Sequence, residues 1–274
     1  MKKILLLLII MVGSLQAQKR IVCLGGTVSE IVYELGVGDQ IVGVDVSSIY
    51  PPSLLKVPKV GYWKRVSAEG ILALKPTHVV GMYDAGPDEA LKQLEAAGVK
   101  VLRIKENFSH DGAMENVKSI AAFIGKKDAG QLMINGMEMM NSEIDYRNIT
   151  EPTDAKVLFL YVRGAKVFLA GGQSTPADAM ISLSGANNIA SDLNGWTPVS
   201  SEFFVNAEPD LLILPASGLE SLGGIEKLKT LPGISSLKAV QNNNVIVVDD
   251  NAFLGFGPRM YEELSKLKDK FQDL

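Results

Sequence analysis

Short apolar runs alternate along this chain with stretches whose apolar positions recur every three or four residues. The runs at 21–24, 41–44, 78–82 and 99–104 each lie beside a helical stretch, an alternation that predicts βαβ units on a parallel sheet. Between the first two, Ser29 can cap a helix whose positions Ile31, Val32 and Leu35 share one face, and Gly36 and Gly38 stop it. The second half repeats the alternation, with strands predicted at 157–162, 167–170, 211–214 and 245–248 and helices at 176–184 and 225–231. The middle differs. From Asp111 to Ile149 no strand pattern occurs, and 115–124 and 128–144 carry apolar positions at the helical period until Pro152 ends the stretch. The chain closes with Pro258 at a helix start and an amphipathic run over 261–271.

Lys2 and Lys3 precede nine apolar residues, 4–12, and Gly13, Ser14 and Leu15 lead on to the small Ala17, the pattern of a secretory signal peptide. Nine apolar residues are too few to span a bilayer as a helix, which takes about 20. The expected division is a signal peptide over 1–17, an N-terminal α/β lobe over 18–125, a linking helix over 126–152 and a C-terminal α/β lobe over 153–274. The mature chain is expected in the periplasm as a monomer that does not insert into the membrane. Cys23 reads as a buried strand residue, because Arg20, Ile21 and Val22 before it lack the small side chains that lipid attachment requires.

An internal repeat relates the two halves. Ser67-Ala68-Glu69 is followed by Pro76 and an apolar run, and Ser200-Ser201-Glu202 by Pro209 and another, with seven residues from Glu to Pro each time. Gly25-Gly26 precedes Glu30, Leu35 and Ile41 as Gly171-Gly172 precedes Asp178, Leu183 and Ile189, with equal spacing from the acidic residue onward. Two matches in the same order imply two lobes of like design. In open parallel sheets ligands bind beyond the carboxyl ends of the strands. The loops there hold Tyr50, Tyr62, Trp63, Tyr83, Trp196 and Phe253, a large share of the aromatics, and suit a flat, apolar ligand.

Composition narrows the chemistry. With 27 Lys+Arg against 31 Asp+Glu, the net charge of -4 offers no basic face for a nucleic-acid backbone. One cysteine forbids an internal disulfide, and two histidines are too few for a zinc site built on imidazoles. Gly25-Gly26 after a strand, with Asp45 ending the next, begins a dinucleotide fingerprint whose third glycine is missing. There is no G-x-S-x-G; His78 falls inside a predicted strand, and His110 stands at a helix start, where it reads as a cap. Glu69 and Glu202, one per lobe at a helix start, suit a two-point contact surface better than acid–base catalysis.

Three segments carry a family likeness: Val60-Gly61-Tyr62-Trp63-Lys64-Arg65, then Ser67-Ala68-Glu69-Gly70-Ile71-Leu72-Ala73-Leu74-Lys75-Pro76, and late in the chain Leu254-Gly255-Phe256-Gly257-Pro258-Arg259. Across the whole mature chain the sequence resembles the substrate-binding proteins of bacterial ABC importers for iron complexes, siderophores and cobalamin. Within them it is similar to the periplasmic heme-binding branch. The resemblance implies an α/β fold of two Rossmann-like lobes with central parallel sheets, joined by a long helix, with the ligand cleft between them. It implies heme as the transported ligand, a permease dimer with its ATPase subunits as partner, and no enzymatic activity.

The same resemblance makes Tyr62 the axial ligand of the heme iron. A phenolate is a hard, anionic donor that favours ferric iron and a low potential. Lys64 or Arg65 beside it would lower the phenol's pKa, ordinarily about 10. Glu69 and Glu202 match the paired surface glutamates that contact arginines on the membrane subunits. Trp63, Tyr83, Phe168 and Trp196 are expected as walls for the porphyrin, and Arg163 and Arg259 as propionate partners. The second lobe offers no histidine, and 216–219 carries no cation, so a single five-coordinate ferric heme on Tyr62 is expected, alone or with water or a weak second ligand. A ferric siderophore or cobalamin in the same fold is the alternative, and an exported α/β enzyme a more distant one.

Overall fold

The structure is a computed structural model, and the residues it describes are 18–147, 154–164 and 167–274. The expected signal peptide, 1–17, and the end of the expected linking segment, 148–152, lie outside them. In chain order the first lobe comprises β1 (Ile21–Leu24), α1 (Gly26–Val32), β2 (Ile41–Val44), α2 (Ala68–Leu72), β3 (His78–Gly81), α3 (Asp88–Ala96), β4 (Lys100–Arg103) and α4 (His110–Phe123). The long helix α5 (Lys127–Arg147) follows. The second lobe opens with β5 (Lys156–Arg163), β6 (Val167–Gly171), α6 (Pro176–Leu183), β7 (Asn187–Asn188), β8 (Trp196–Pro198), α7 (Ser201–Ala207) and β9 (Leu211–Pro215). It closes with α8 (Ala216–Leu222), α9 (Ile225–Leu228), α10 (Lys238–Gln241), β10 (Val245–Val248), α11 (Asp250–Leu254) and α12 (Met260–Phe271).

The repeat seen in the sequence is a repeat of topology. The first sheet runs β2-β1-β3-β4, all parallel, and in the second β7, β5, β9 and β10 follow one another in the same way. The two serine–glutamate segments become α2 and α7, each leading through its proline into the corresponding strand, β3 or β9. The second sheet departs from the parallel expectation. Three residues between β5 and β6 are too few for a crossover, so the two pair antiparallel, and β8 adds to β6 antiparallel as well. The second sheet is therefore mixed.

Continuous apolar runs form β1, β3 and β9 because helices cover both sheet faces and leave no wet side. Val22, Leu24 and Val79 face α2 and α3, and Leu158, Leu160 and Val162 form a second outer cluster with the helices of their own lobe. The inner faces, with Ile21, Cys23 and Val80 from one lobe and Val157 and Phe159 from the other, join a single core with α1, α4, α5, α6 and α12. Caps follow the sequence in part: Ser67, Ser109 and Thr175 each accept a backbone N–H at a helix start. Ser29 does not cap α1. Gly25 does, at φ 131°, where a Cβ would fall 2.2 Å from Met82, and Ser29 lies inside the helix donating to Gly25 O at 2.8 Å. His110 is likewise not the cap of α4; Ser109 is, and His110 Nδ1 meets Tyr261 Oη at 2.5 Å.

Where the lobes meet, Arg259 reaches Glu30 of α1, with Nε and Nη2 on Oε2 at 2.9 and 2.7 Å, and Asp249 at 3.4 Å. The Arg259 and Glu30 side chains are 11% and 4% exposed. Burial pushes the Glu30 carboxyl up from its ordinary range, and Arg259 opposes that. Taking two ions out of water is costly, and losing one partner leaves the other buried and unanswered. Arg259→Met is therefore expected to cost about 3–5 kcal/mol in urea unfolding. Adding Glu30→Gln should restore part of that loss, and a single variant as stable as the parent would show that the pair does not hold the seam.

Candidate functional site

The loops at the carboxyl ends of the strands gather at the mouth between the lobes. After β2 the chain turns about Asp45, whose buried carboxylate accepts Gly25 N at 2.9 Å, Ser47 N at 3.0 Å, Ser47 Oγ at 2.7 Å and Ser48 Oγ at 2.6 Å. Asp45 is thus spent on its own loop and has nothing left for a ribose, which removes the dinucleotide reading. Val46 N donates to Gly61 O at 2.9 Å and sets the next loop beside the first. That loop presents Tyr62, 40% exposed, on a short turn over Trp63–Arg65.

Asp84, in the loop after β3, organises this wall. It accepts the Trp63 indole N–H at 2.8 Å and pairs with Lys64, and the Trp63 ring in turn lies 4.1 Å from that of Tyr62. Tyr83 is half-buried against Phe108 at 5.9 Å, and Phe108 against Phe256 at 5.5 Å. Burial first, then Asp84 and Glu106, push the Tyr83 phenol up to about 12.

The second lobe supplies the facing wall through the period of β5. Phe159, Tyr161 and Arg163 share one face of the strand, and Leu158, Leu160 and Val162 the other. Trp196 of β8 lies 5.6 Å from Phe159 and 5.9 Å from Tyr161, and the Arg163 guanidinium sits 5.3 Å over the Tyr161 ring. Phe168 pairs with Val162 in the β5–β6 ladder, so it points to the outer core, where it packs on Phe204 at 5.9 Å. It is not brought to the cleft. Tyr161 is, and the aromatic and cationic residues at alternate positions of an otherwise aliphatic strand are the sequence signal for it.

Burial outweighs the lowering expected for Tyr62. The phenol lies above its ordinary value, with Lys64 and then Arg163 opposing and Asp84 and Tyr161 adding to the rise. Lys64 is the strongest of the opposing charges, but Asp84, to which it is paired, works against it, and burial exceeds both. Arg65 and Arg163 have no carboxylate partner among the described residues, whereas Arg259 is held in the seam by Glu30 and Asp249. The late segment around Gly255 belongs to that seam too: a Cβ there would fall 1.9 Å from Thr27 Oγ1 and 2.3 Å from Asn251 O.

Glu69 and Glu202 are each the second residue of a short helix, α2 or α7, and both are exposed. No group of three or more His, Cys, Asp or Glu among the described residues could hold a metal ion, and no helix among them is long and apolar enough to cross a membrane.

Residues 21–252 match the family described as periplasmic binding protein. The chain belongs to the periplasmic binding protein family. It is a substrate-binding transport protein of the ABC type, not an enzyme, from a family that acts in the periplasm or outside the cell. A solved structure similar to it is the periplasmic heme-binding protein RhuT from Roseiflexus sp. RS-1 in apo form, at a TM-score of 0.87 and 37% identity over 93% of this chain and 98% of that one. It is 28% identical to an uncharacterized ABC transporter substrate-binding lipoprotein, YvrC, of Bacillus subtilis (strain 168), over 91% of this chain and 78% of the relative. It is 23% identical to the vitamin B12-binding protein of Photorhabdus laumondii, over 94% of this chain and 89% of the relative.

In this periplasmic binding protein Asp84 adds to the rise that burial imposes on the Tyr62 phenol. Asp84→Asn keeps an acceptor for the Trp63 indole, removes the anion and frees Lys64. The Tyr62 phenol is then expected to titrate at lower pH than in the parent, read as the tyrosinate absorbance that Tyr62→Phe deletes; an unmoved titration would break the link.

Proposed function

We propose that this chain captures one ferric heme between its lobes and delivers it to the permease dimer and ATPase subunits of an importer. In this reading the leader over 1–17 exports the chain to the periplasm, and lobes 18–125 and 153–274, joined through the segment 126–152, hold the ligand between them with small relative motion. The observation that carries it is Tyr62, an exposed phenol at the mouth, backed by Trp63 and facing a second aromatic wall of Tyr161 and Trp196. Large aromatic surface left in water at one place marks a binding site. A phenolate gives ferric iron its axial ligand. Arg163, exposed at the rim, is the cation for a propionate, with Arg65 beside Tyr62 as a second. The likeness to a heme-binding structure at 37% identity supports heme over cobalamin, the cargo named for relatives at 23% to 28%.

Hemin is expected to saturate the protein at one equivalent with a high-spin tyrosinate charge-transfer band. Tyr62→Phe should remove the band and weaken binding by about a hundredfold or more. The raised phenol is protonated in the free protein, so ligation releases a proton, and affinity should rise by up to about tenfold per pH unit below the phenol's pKa. Saturable uptake of a ferric siderophore or cobalamin in place of hemin would overturn the cargo.

Glu69 and Glu202 would be the contacts with the permease, one per lobe, so that a two-fold partner senses lobe spacing. Reversing both, Glu69→Arg with Glu202→Arg, should abolish uptake into cells carrying the importer while leaving the hemin titration unchanged. Uptake at the parent rate would remove the docking assignment.

A further inference from the structure

The loop after β2 turns its polar groups inward and its apolar ones outward. Val46 and Ile49 are each 51% exposed and Tyr50 37%, three large apolar residues within five positions. Nothing about the loop is slack. Asp45 takes four hydrogen bonds beneath it, Lys59 Nζ donates to Ser48 O at 2.7 Å, and Asn251 of the other lobe donates to Ser47 O at 2.9 Å. Tyr50 rests on the Arg259 guanidinium at 3.8 Å, and Val46 N is bonded to Gly61 O, one residue before Tyr62. Side chains left in water on a loop that could bury them by relaxing forfeit burial, and a clamp that prevents relaxation keeps them available to a ligand.

We propose that Val46, Ile49 and Tyr50 form an apolar shelf continuous with the Tyr62 wall, which takes the hydrophobic edge of a flat porphyrin ring independently of its metal. This deepens the reading of the cleft as a heme site and rests on it for the class of ligand. Tyr62 then selects for iron, and the shelf for a planar apolar ring. The two contributions are separable, because a metal-free ring needs the shelf and not the phenolate.

The test titrates the parent, Tyr62→Phe, and the double variant Ile49→Asn with Tyr50→Ser against hemin and against metal-free protoporphyrin IX, the latter by fluorescence. The double variant is expected to weaken both ligands by about tenfold while the hemin complex keeps its charge-transfer band. Val46→Asn, tested alone as a milder change, should act in the same direction. Parent-like affinity of the shelf variants for both ligands overturns the shelf, and if Tyr62→Phe still loses hemin, the heme reading stands without it. Shelf-dependent binding of the metal-free ring, with hemin indifferent to Tyr62→Phe, keeps the shelf and sinks iron ligation by Tyr62. Failure of the parent to bind either ring removes both.

Discussion

Arg259 sits where the two lobes meet, and its charge is answered from both of them. Glu30 comes from α1 at the start of the first lobe and Asp249 from the end of β10 in the second, so one guanidinium ties residues more than 200 positions apart. Two buried ions are costly to desolvate, and a hydrophobic substitute of equal volume could hold the lobes as firmly. What an ion pair adds is direction: Glu30, Asp249 and the Tyr50 ring fix the guanidinium on three sides. The Asn251–Ser47 bond and the close approach of Gly255 to Thr27 lie in the same seam. Beneath them the apolar core runs from one lobe into the other through α5 and α12.

Around this seam the polar residues fall into two kinds. Asp45, Asp84 and Arg259 have their bonding capacity taken up within the protein, and their work is to hold loops and rings in place. Tyr62, Arg65, Arg163, Glu69 and Glu202 are left exposed, and none of them is ion-paired with a carboxylate or cation among the described residues. Charges from both lobes act on the exposed Tyr62. Lys64, adjacent to Tyr62 and paired with Asp84, opposes the rise of the phenol first, and Arg163, about a hundred residues away, opposes it next from the other lobe.

Much of the fold was legible because its signals are local. Strand runs and the paired Ser-x-Glu segments depend on periods and spacings within a few residues and appear in the structure within one or two positions of expectation, and the long helix begins one residue after the expected 126. The errors share one cause. Ser29 looked like a cap because serine at a helix start is favoured, but the crowding of Met82 against Gly25 decides where α1 begins. Phe168 looked like a wall because it is aromatic and near the cleft in sequence, but the register of β5 with β6 turns it to the outer core.

By itself, then, the sequence determined which segments are strands and helices, that they come in two similar sets, and that Tyr50, Tyr62 and Tyr83 stand in loops after strands, whereas Trp196 and Phe253 proved to lie in β8 and α11. Those properties follow from side-chain periodicity and backbone preference, which act over a few residues. Only the tertiary structure decided which face of β5 looks into the cleft, that Tyr161 joins Trp196 there, and that Arg259 is a fastening of the seam. Sheet register, burial and the pairing of charges are settled by elements far apart in the chain, and no spacing within one element carries that information.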